Sequence, residues 1–128
     1  MADKCGCSCG GTVLVFSCSG AADVGEIADR AARRMAGEGL AEMSCLAGVG
    51  GHVSGLVESA KGAAGCLVID GCPLDCGRRS FEEAGVRQFR HLRVTDLDIR
   101  KGGATVDDET VSRVADAAAA LLAPPERQ

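Results

Sequence analysis

The sequence contains neither tryptophan nor tyrosine, and only three of its 128 residues are phenylalanine. A core without large aromatic side chains must be filled mainly by Ala, Val, Leu and Gly, which favours backbones that approach one another closely. Glycine is abundant, with 18 residues, and several stand where a strand would pass into a helix, around Gly20, at 48–51 and at Gly71. About 46% of the chain is apolar, which suits one compact domain.

The chain also lacks an excess of positive charge. Its formal net charge is −4 with both signs mixed, which argues against a nucleic-acid-binding domain because such domains carry a basic face. One basic cluster stands out, made of Arg78, Arg79, Arg87, Arg90, His91 and Arg93. We interpret it as a solvated strand edge and helix face, and a site for an anion or an acidic partner is the alternative.

Long apolar runs are absent as well. The longest are far shorter than the ~20 residues of a transmembrane helix, and the N-terminus lacks the apolar stretch of a secretory signal. We therefore expect a cytoplasmic protein that binds neither a membrane nor nucleic acid. Its eight cysteines are reduced in that compartment, which favours metal binding or thiol chemistry over a framework of disulfides.

Residues 1–11 form a Cys/Gly-rich N-terminal segment that contains Cys5, Cys7 and Cys9. A Cys-x-Cys-x-Cys segment can wrap a soft metal, because thiolates suit Zn²⁺, Cu(I) and iron–sulfur clusters. The segment is therefore a candidate for a second metal or cluster site. A redox-sensitive tail without a ligand is the alternative.

The remainder is predicted to form a single α/β domain over residues 12–123, followed by a polar tail at 124–128. Apolar β-prone runs predict strands at 12–16, 42–46, 66–69 and about 89–94. Apolar residues at helical spacing predict helices at about 24–36, 53–64, 73–84 and 107–122.

Local signals indicate how these helices begin and which side chains they bury. Asp23, with Glu26 three residues later, is expected to cap the first helix. Pro73 is expected at the first position of the third helix, where its missing N–H is not needed. Leu74 and Phe81 are expected to face the core.

Strands and helices alternate, which implies a parallel sheet with right-handed crossovers and helices on both faces. We predict a small Rossmann-like or flavodoxin-like three-layer sandwich with a four-stranded parallel sheet in the order 2-1-3-4. The C-terminal ends of parallel strands share one edge of the sheet, which we name the carboxyl edge. Open α/β sheets bind their ligands outside that edge.

Three cysteines stand at the ends of successive predicted strands: Cys18, Cys45 and Cys72. Adjacent strands are ~4.8 Å apart, so these thiols are expected to converge at the carboxyl edge. Cys76, one turn into the following helix, is the fourth. Four thiols can hold zinc with tetrahedral geometry, and helix N-termini favour thiolates. The alternative is that these cysteines are small buried residues, as we expect for Cys66 within the third strand.

A few polar residues lie near the same edge. His52, near the predicted start of the second helix, is a candidate ligand or proton carrier, or a surface residue. Asp70 is a candidate acceptor for loop amides, and Asp96 ends the fourth strand. We assign His91, in the middle of that strand, no role.

The motifs at this edge resemble those of the DGC-domain family, whose members are described as zinc-binding. The resemblance covers nearly the whole chain and rests on Cys18-Ser19-Gly20, on the segment from Met43 to Gly51, on the segment from Ile69 to Cys76 and on Val94-Thr95-Asp96-Leu97. Asp98 replaces the family's usual glycine after this last motif. The resemblance implies that Cys18, Cys45, Cys72 and Cys76 are the metal ligands.

Three functions remain open. We favour a metal-binding protein that stores, senses or delivers zinc, with a metal ion and a protein that the sequence does not identify as partners. An iron–sulfur protein or a carrier of sulfur as a persulfide is the alternative. An enzyme is less favoured, because Val24 stands where a Cys-x5-Arg phosphatase loop needs arginine, and Cys72 and Cys76 do not have the Cys-x-x-Cys spacing of thioredoxins.

Overall fold

The computed structural model describes residues 11–122. In chain order the elements are β1 (Val13–Ser17), α1 (Asp23–Gly37), β2 (Glu42–Met43), α2 (Leu46–Gly50), α3 (Ser54–Gly62), β3 (Gly65–Asp70), α4 (Cys76–Ala84), β4 (Arg90–Arg93), a 3₁₀ helix (Val94–Leu97) and α5 (Asp108–Leu122). None of the helices in this range is both long and apolar enough to cross a membrane.

The four strands form one parallel sheet in the order β2-β1-β3-β4. Val15 pairs with Met43 on one side and Leu67 on the other, and Leu67 in turn pairs with Arg90. The predicted α/β class, the parallel sheet and the order 2-1-3-4 are therefore confirmed. This order places the C-terminal ends of β2, β1 and β3 side by side.

Helices cover both faces of the sheet, as predicted. On one face α1 and α5 pack over Val15, Leu67 and Ile69, which are fully buried. On the other face the helices α2 to α4 pack over alternate residues of the same strands. There the three phenylalanines stack edge to face, with ring centroids 4.7 Å apart for Phe16 and Phe81 and 5.0 Å apart for Phe81 and Phe89.

The structure differs from the sequence prediction at the second strand and helix. The second strand is only two residues long, because Cys45 already caps α2 by accepting an amide hydrogen bond. The predicted helix at 53–64 is present as α3, and a further short helix, α2, occupies residues 46–50, where the end of the strand and a glycine-rich stretch were predicted. They are separated at His52, whose φ of 60° is left-handed and interrupts a helix.

The third helix also begins later than predicted. Pro73 lies in the turn before α4, and Leu74 is 61% exposed instead of facing the core. The reason lies at Asp75, which precedes α4 with a left-handed φ of 56° that cannot continue a helix. Phe81 is fully buried, as expected.

The predicted capping box of α1 is not formed. Ala22 is the cap residue, and Asp23 is the first helical residue. The Asp23 carboxylate instead accepts hydrogen bonds from the backbone N–H groups of Gly102 and Ala104, far along the chain. Cys66 is buried in the core, as its position within β3 suggested.

Gly85 ends α4 in the left-handed conformation, with φ of 82°. Replacing Gly85 by alanine is expected to lower the free energy of unfolding by about 1 kcal/mol, because an L side chain is strained there. Gly55 in α3 is the matched control, since a Cβ at that position meets nothing within 4 Å. Urea denaturation checks both variants, and equal stability of the two would contradict the argument.

Candidate functional site

The four predicted ligand cysteines all lie at the carboxyl edge. Cys18 follows β1 and is half-buried, and Cys45 precedes α2 and is exposed. Cys72 lies in the turn after β3 and is half-buried, and Cys76 is the exposed first residue of α4. The Cys5, Cys7 and Cys9 segment lies outside the described residues.

Three of the four sulfur atoms accept an N–H hydrogen bond. The Sγ of Cys18 accepts from the backbone of Gly71 at 3.3 Å. The Sγ of Cys45 accepts from the backbone of Gly48, also at 3.3 Å. The Sγ of Cys72 lies 3.4 Å from the ammonium Nζ of Lys101. Donors of this kind stabilise negative charge on sulfur and are typical of thiolates that bind metal.

Cys18 interacts with several groups of the edge. Burial raises the pKa of its thiol above the ordinary value, and the backbone N–H groups of Gly20 and Gly71 lower it in part. Negative charge on Asp70 and on Cys76 adds to the rise in this pKa. Cys76, the first residue of α4, thus affects the thiol of Cys18, which follows β1.

A groove of about 830 Å³ opens at the ends of β1 and β2. Cys18 and Cys45 line it together, whereas Cys72 and Cys76 do not. Four serines also line it, Ser17, Ser19, Ser44 and Ser80, together with three apolar side chains, Met43, Leu46 and Leu56. The thiols of Cys18 and Cys45 therefore line a cleft with both polar and apolar walls, of the size that small ligands occupy.

The thiols are not drawn together as tightly as one bound ion requires. A tetrahedral site with Zn–S bonds of ~2.3 Å places its sulfur atoms about 3.8 Å apart. Within residues 11–122, one group of three or more His, Cys, Asp or Glu side chains has its ligand atoms within 4.8 Å of one another, and that group is Asp70, Asp75 and His91. The chemistry of the four thiols fits a soft metal, and binding one ion requires the loops to close.

The group of Asp70, Asp75 and His91 is itself already saturated with hydrogen-bond donors. The buried Asp70 carboxylate accepts the backbone N–H groups of Gly77 at 2.7 Å and of Arg78 at 3.0 Å, in the first turn of α4. Its Oδ2 also lies 2.8 Å from Nε2 of His91. Asp70 therefore fixes the start of α4.

Asp75 is held by two arginines. Arg93 donates to both carboxylate oxygens, at 2.7 Å and 2.6 Å, and Arg78 donates to Oδ2 at 2.7 Å. These two arginines hold the pKa of the Asp75 carboxyl well below its usual range, and Arg93 has the larger effect. In turn, Asp75 raises the pKa of both guanidinium groups. The arginines occupy the positions that a cation would take, so we interpret this cluster as a structural network that fixes the Cys72–Cys76 turn.

Of the other predicted accessory residues, His52 lies apart from this network and Asp96 contacts it through Arg93. His52 is exposed in the turn between α2 and α3. Asp96 is in the 3₁₀ helix, 60% exposed, and its Oδ2 is 3.8 Å from Nη1 of Arg93. Asp70, the third of these residues, accepts amides of the first turn of α4 and not those of a loop.

Comparison with known proteins identifies the family to which the chain belongs. The sequence model of the DGC domain matches residues 14–118, which include all four cysteines at the edge. The chain belongs to the DGC-domain family. The anaerobic and virulence modulator AnvM of Pseudomonas aeruginosa is 40% identical to it over 88 residues, which are 69% of this chain and 67% of that protein. No solved structure matches the chain.

In this DGC-domain protein, His91, Asp75 and Arg93 were not among the predicted site residues. His91 was expected to have no role, yet its side chain contacts Asp70. The sequence did contain one signal for them. His91 and Arg93 are two residues apart on a strand, so both side chains point to the same face of the sheet, the face that α4 covers. Charged side chains on a face that is covered by a helix must be paired, because an unpaired buried charge is costly. This spacing therefore indicates that the basic residues of β4 pair with buried acids.

Proposed function

We propose that this DGC-domain protein binds a soft metal ion, with zinc preferred, through Cys18, Cys45, Cys72 and Cys76, and that it stores, senses or delivers this ion. One observation carries the proposal. Thiols at the ends of three adjacent strands each face an N–H donor, from Gly71, Gly48 and Lys101. Such second contacts orient ligands and tune the affinity of a metal site.

The network around Asp70 and Asp75 supports the same function. It holds both ends of the turn that carries Cys72 and Cys76, because Asp75 lies within that turn and Asp70 binds the first amides of α4. A site built on a fixed turn places two of its four ligands in advance. The other two, Cys18 and Cys45, line the open groove, where an ion can enter or leave.

Metal analysis of protein purified without added metal tests the proposal. The wild type is expected to carry about one equivalent of zinc, the content of a four-thiolate site. Cys72→Ser is expected to carry less than about a tenth of an equivalent, because a hydroxyl is a poor ligand for a soft metal. Cys66→Ala is the matched control, since this buried thiol donates only to the carbonyl of Ala60.

Two results would overturn the proposal. One is a wild type with free thiols and less than about a tenth of an equivalent of any metal, far below the content of a four-thiolate site. The other is equal metal in the wild type and Cys72→Ser. A variant with Ser at Cys5, Cys7 and Cys9 completes the set, because loss of metal in that variant alone would assign binding to the N-terminal segment.

An iron–sulfur cluster is the second candidate, and the spacing of the thiols favours it. No three of the four sulfurs lie within 4.8 Å of one another, and a cluster bridges more widely spaced thiolates than a single ion does. Anaerobic purification distinguishes the two. Brown protein with iron and acid-labile sulfide supports the cluster, and colourless protein with zinc excludes it. A persulfide carrier would show sulfane sulfur and no metal.

A further inference from the structure

Lys101 differs from the other donors to the cysteine sulfurs because it carries a full charge. Between residues 11 and 122, Cys18 and Cys45 accept hydrogen bonds from neutral backbone amides, and Cys72 accepts from the Lys101 ammonium. Lys101 lies on the segment 98–104, which follows the 3₁₀ helix and has no regular structure. The segment itself has no sequence motif that marks it as part of the site.

The segment is held in place by contacts that do not involve the thiols. The Asp23 carboxylate accepts the backbone N–H groups of Gly102 at 2.9 Å and of Ala104 at 3.0 Å. These amides lower the pKa of Asp23, and that of Gly102 has the largest effect. Ile99 is buried against the core on the other side of Lys101. The backbone is thus anchored on both sides of Lys101, which directs its side chain toward Cys72.

The contact between Lys101 and Cys72 would help to balance the charge of a metal site. Four thiolates around one divalent ion leave a net charge of −2, and uncompensated charge is costly at the two half-buried ligands, Cys18 and Cys72. The nearby arginines cannot offset it fully, since Arg78 and Arg93 already pair with Asp75. The charge of Lys101 is directed at a ligand sulfur instead.

We propose that Lys101 is a positioning residue of the metal site, whose ammonium group orients the Cys72 sulfur and offsets the negative charge of the thiolate ligands. The inference rests on the proposed function. It adds a residue outside the cysteine motifs, and it makes the segment 98–104 part of the site. Asp23, which anchors this segment, contributes indirectly.

Competition with a chromophoric chelator measures the effect on zinc affinity. Lys101→Met is expected to raise the Kd for Zn²⁺ about tenfold, the usual loss when a partner of a metal ligand is removed. Lys101→Arg retains charge and donor and is expected to rescue most of the loss. Asp23→Asn is expected to give a smaller loss, because the segment loses an anchor. Lys61→Met, on the exposed last turn of α3, is the control and is expected to bind like the wild type.

A spectroscopic measurement separates positioning from a general structural effect. In the Co²⁺-loaded protein, loss of the N–H donor is expected to move the thiolate-to-metal charge-transfer band to lower energy in Lys101→Met but not in Lys61→Met. An unchanged band with a Kd within twofold of the wild type would overturn the role of Lys101 while leaving the metal site intact. A wild type that binds neither Zn²⁺ nor Co²⁺ would overturn both proposals.

Discussion

Replacing Gly71 by alanine is expected to lower the free energy of unfolding by about 3 kcal/mol, the upper end of the cost of overpacking. Gly71 follows β3 and lies against the start of α1. A Cβ built there would be 2.8 Å from the backbone N of Gly25 and from the backbone C of Val24. Backbone atoms cannot move aside by changing rotamer, so the strand end and the helix must separate.

The same substitution is expected to weaken metal binding. The Gly71 N–H donates to the Cys18 sulfur, and the Gly71 carbonyl accepts the Thr95 N–H at 3.2 Å. Any shift of this residue therefore disturbs two loops of the carboxyl edge. Gly20→Ala is the control at the same edge, because a Cβ at Gly20 meets nothing within 4 Å. Urea denaturation followed by circular dichroism checks both, and a loss below about 1 kcal/mol for Gly71→Ala would contradict the steric argument.

Replacing Asp75 by asparagine is expected to lower the free energy of unfolding at pH 7 by about 3 kcal/mol, the lower end of the cost of breaking a buried ion pair. Asn has nearly the same shape and tolerates the left-handed backbone of this position. The substitution therefore removes the charge without adding backbone strain. It leaves Arg93 and Arg78 facing a neutral amide in a site where the carboxylate is only 2% exposed.

The difference between wild type and Asp75→Asn is expected to depend on pH in one direction. The native pKa of Asp75 lies below that of the unfolded chain, so the stabilisation by its charge is complete above the unfolded pKa of about 3.9. It is lost as the pH falls below that value, and by pH 3 the difference is expected to be roughly 1 kcal/mol smaller than at pH 7.

Asp96→Asn provides the control for this pH series. Asp96 is 60% exposed and contacts the same Arg93 at 3.8 Å, so its substitution is expected to change stability by less than about 0.5 kcal/mol. Chemical denaturation at pH 7 and at pH 3 measures all three proteins. A difference for Asp75→Asn that grows toward low pH would show that its charge does not stabilise the fold.

The sheet and its carboxyl edge could be predicted because their signals are local. The run from Cys66 to Ile69 is apolar throughout, as expected for a strand covered on both faces, and a cysteine follows each of β1, β2 and β3 within two residues. The alternation of strands and helices then determines that these ends meet at one edge. Neither inference depends on contacts between distant residues.

The turn that carries Cys72 and Cys76 could not be predicted, because distant residues determine it. Pro73 is a sound local signal for a helix start, but the Asp75 conformation is stabilised by Arg93, 18 residues away. The exposure of Leu74 follows from that turn. The Lys101 contact with Cys72 depends on Asp23, almost 80 residues earlier, and no local pattern links the two.

The hydrogen bonds of Asp23 also bear on the order in which parts of the chain fold and locally unfold. They join positions 79 and 81 residues apart, so they close one of the longest loops of the chain, and contacts of that range form late in folding. Hydrogen bonds at or near the surface are released far more readily than those of a buried strand. We expect the part of the segment that follows the buried Ile99 to open while the sheet stays intact, and amide hydrogen exchange at Gly102 and Ala104 measures how often it does so.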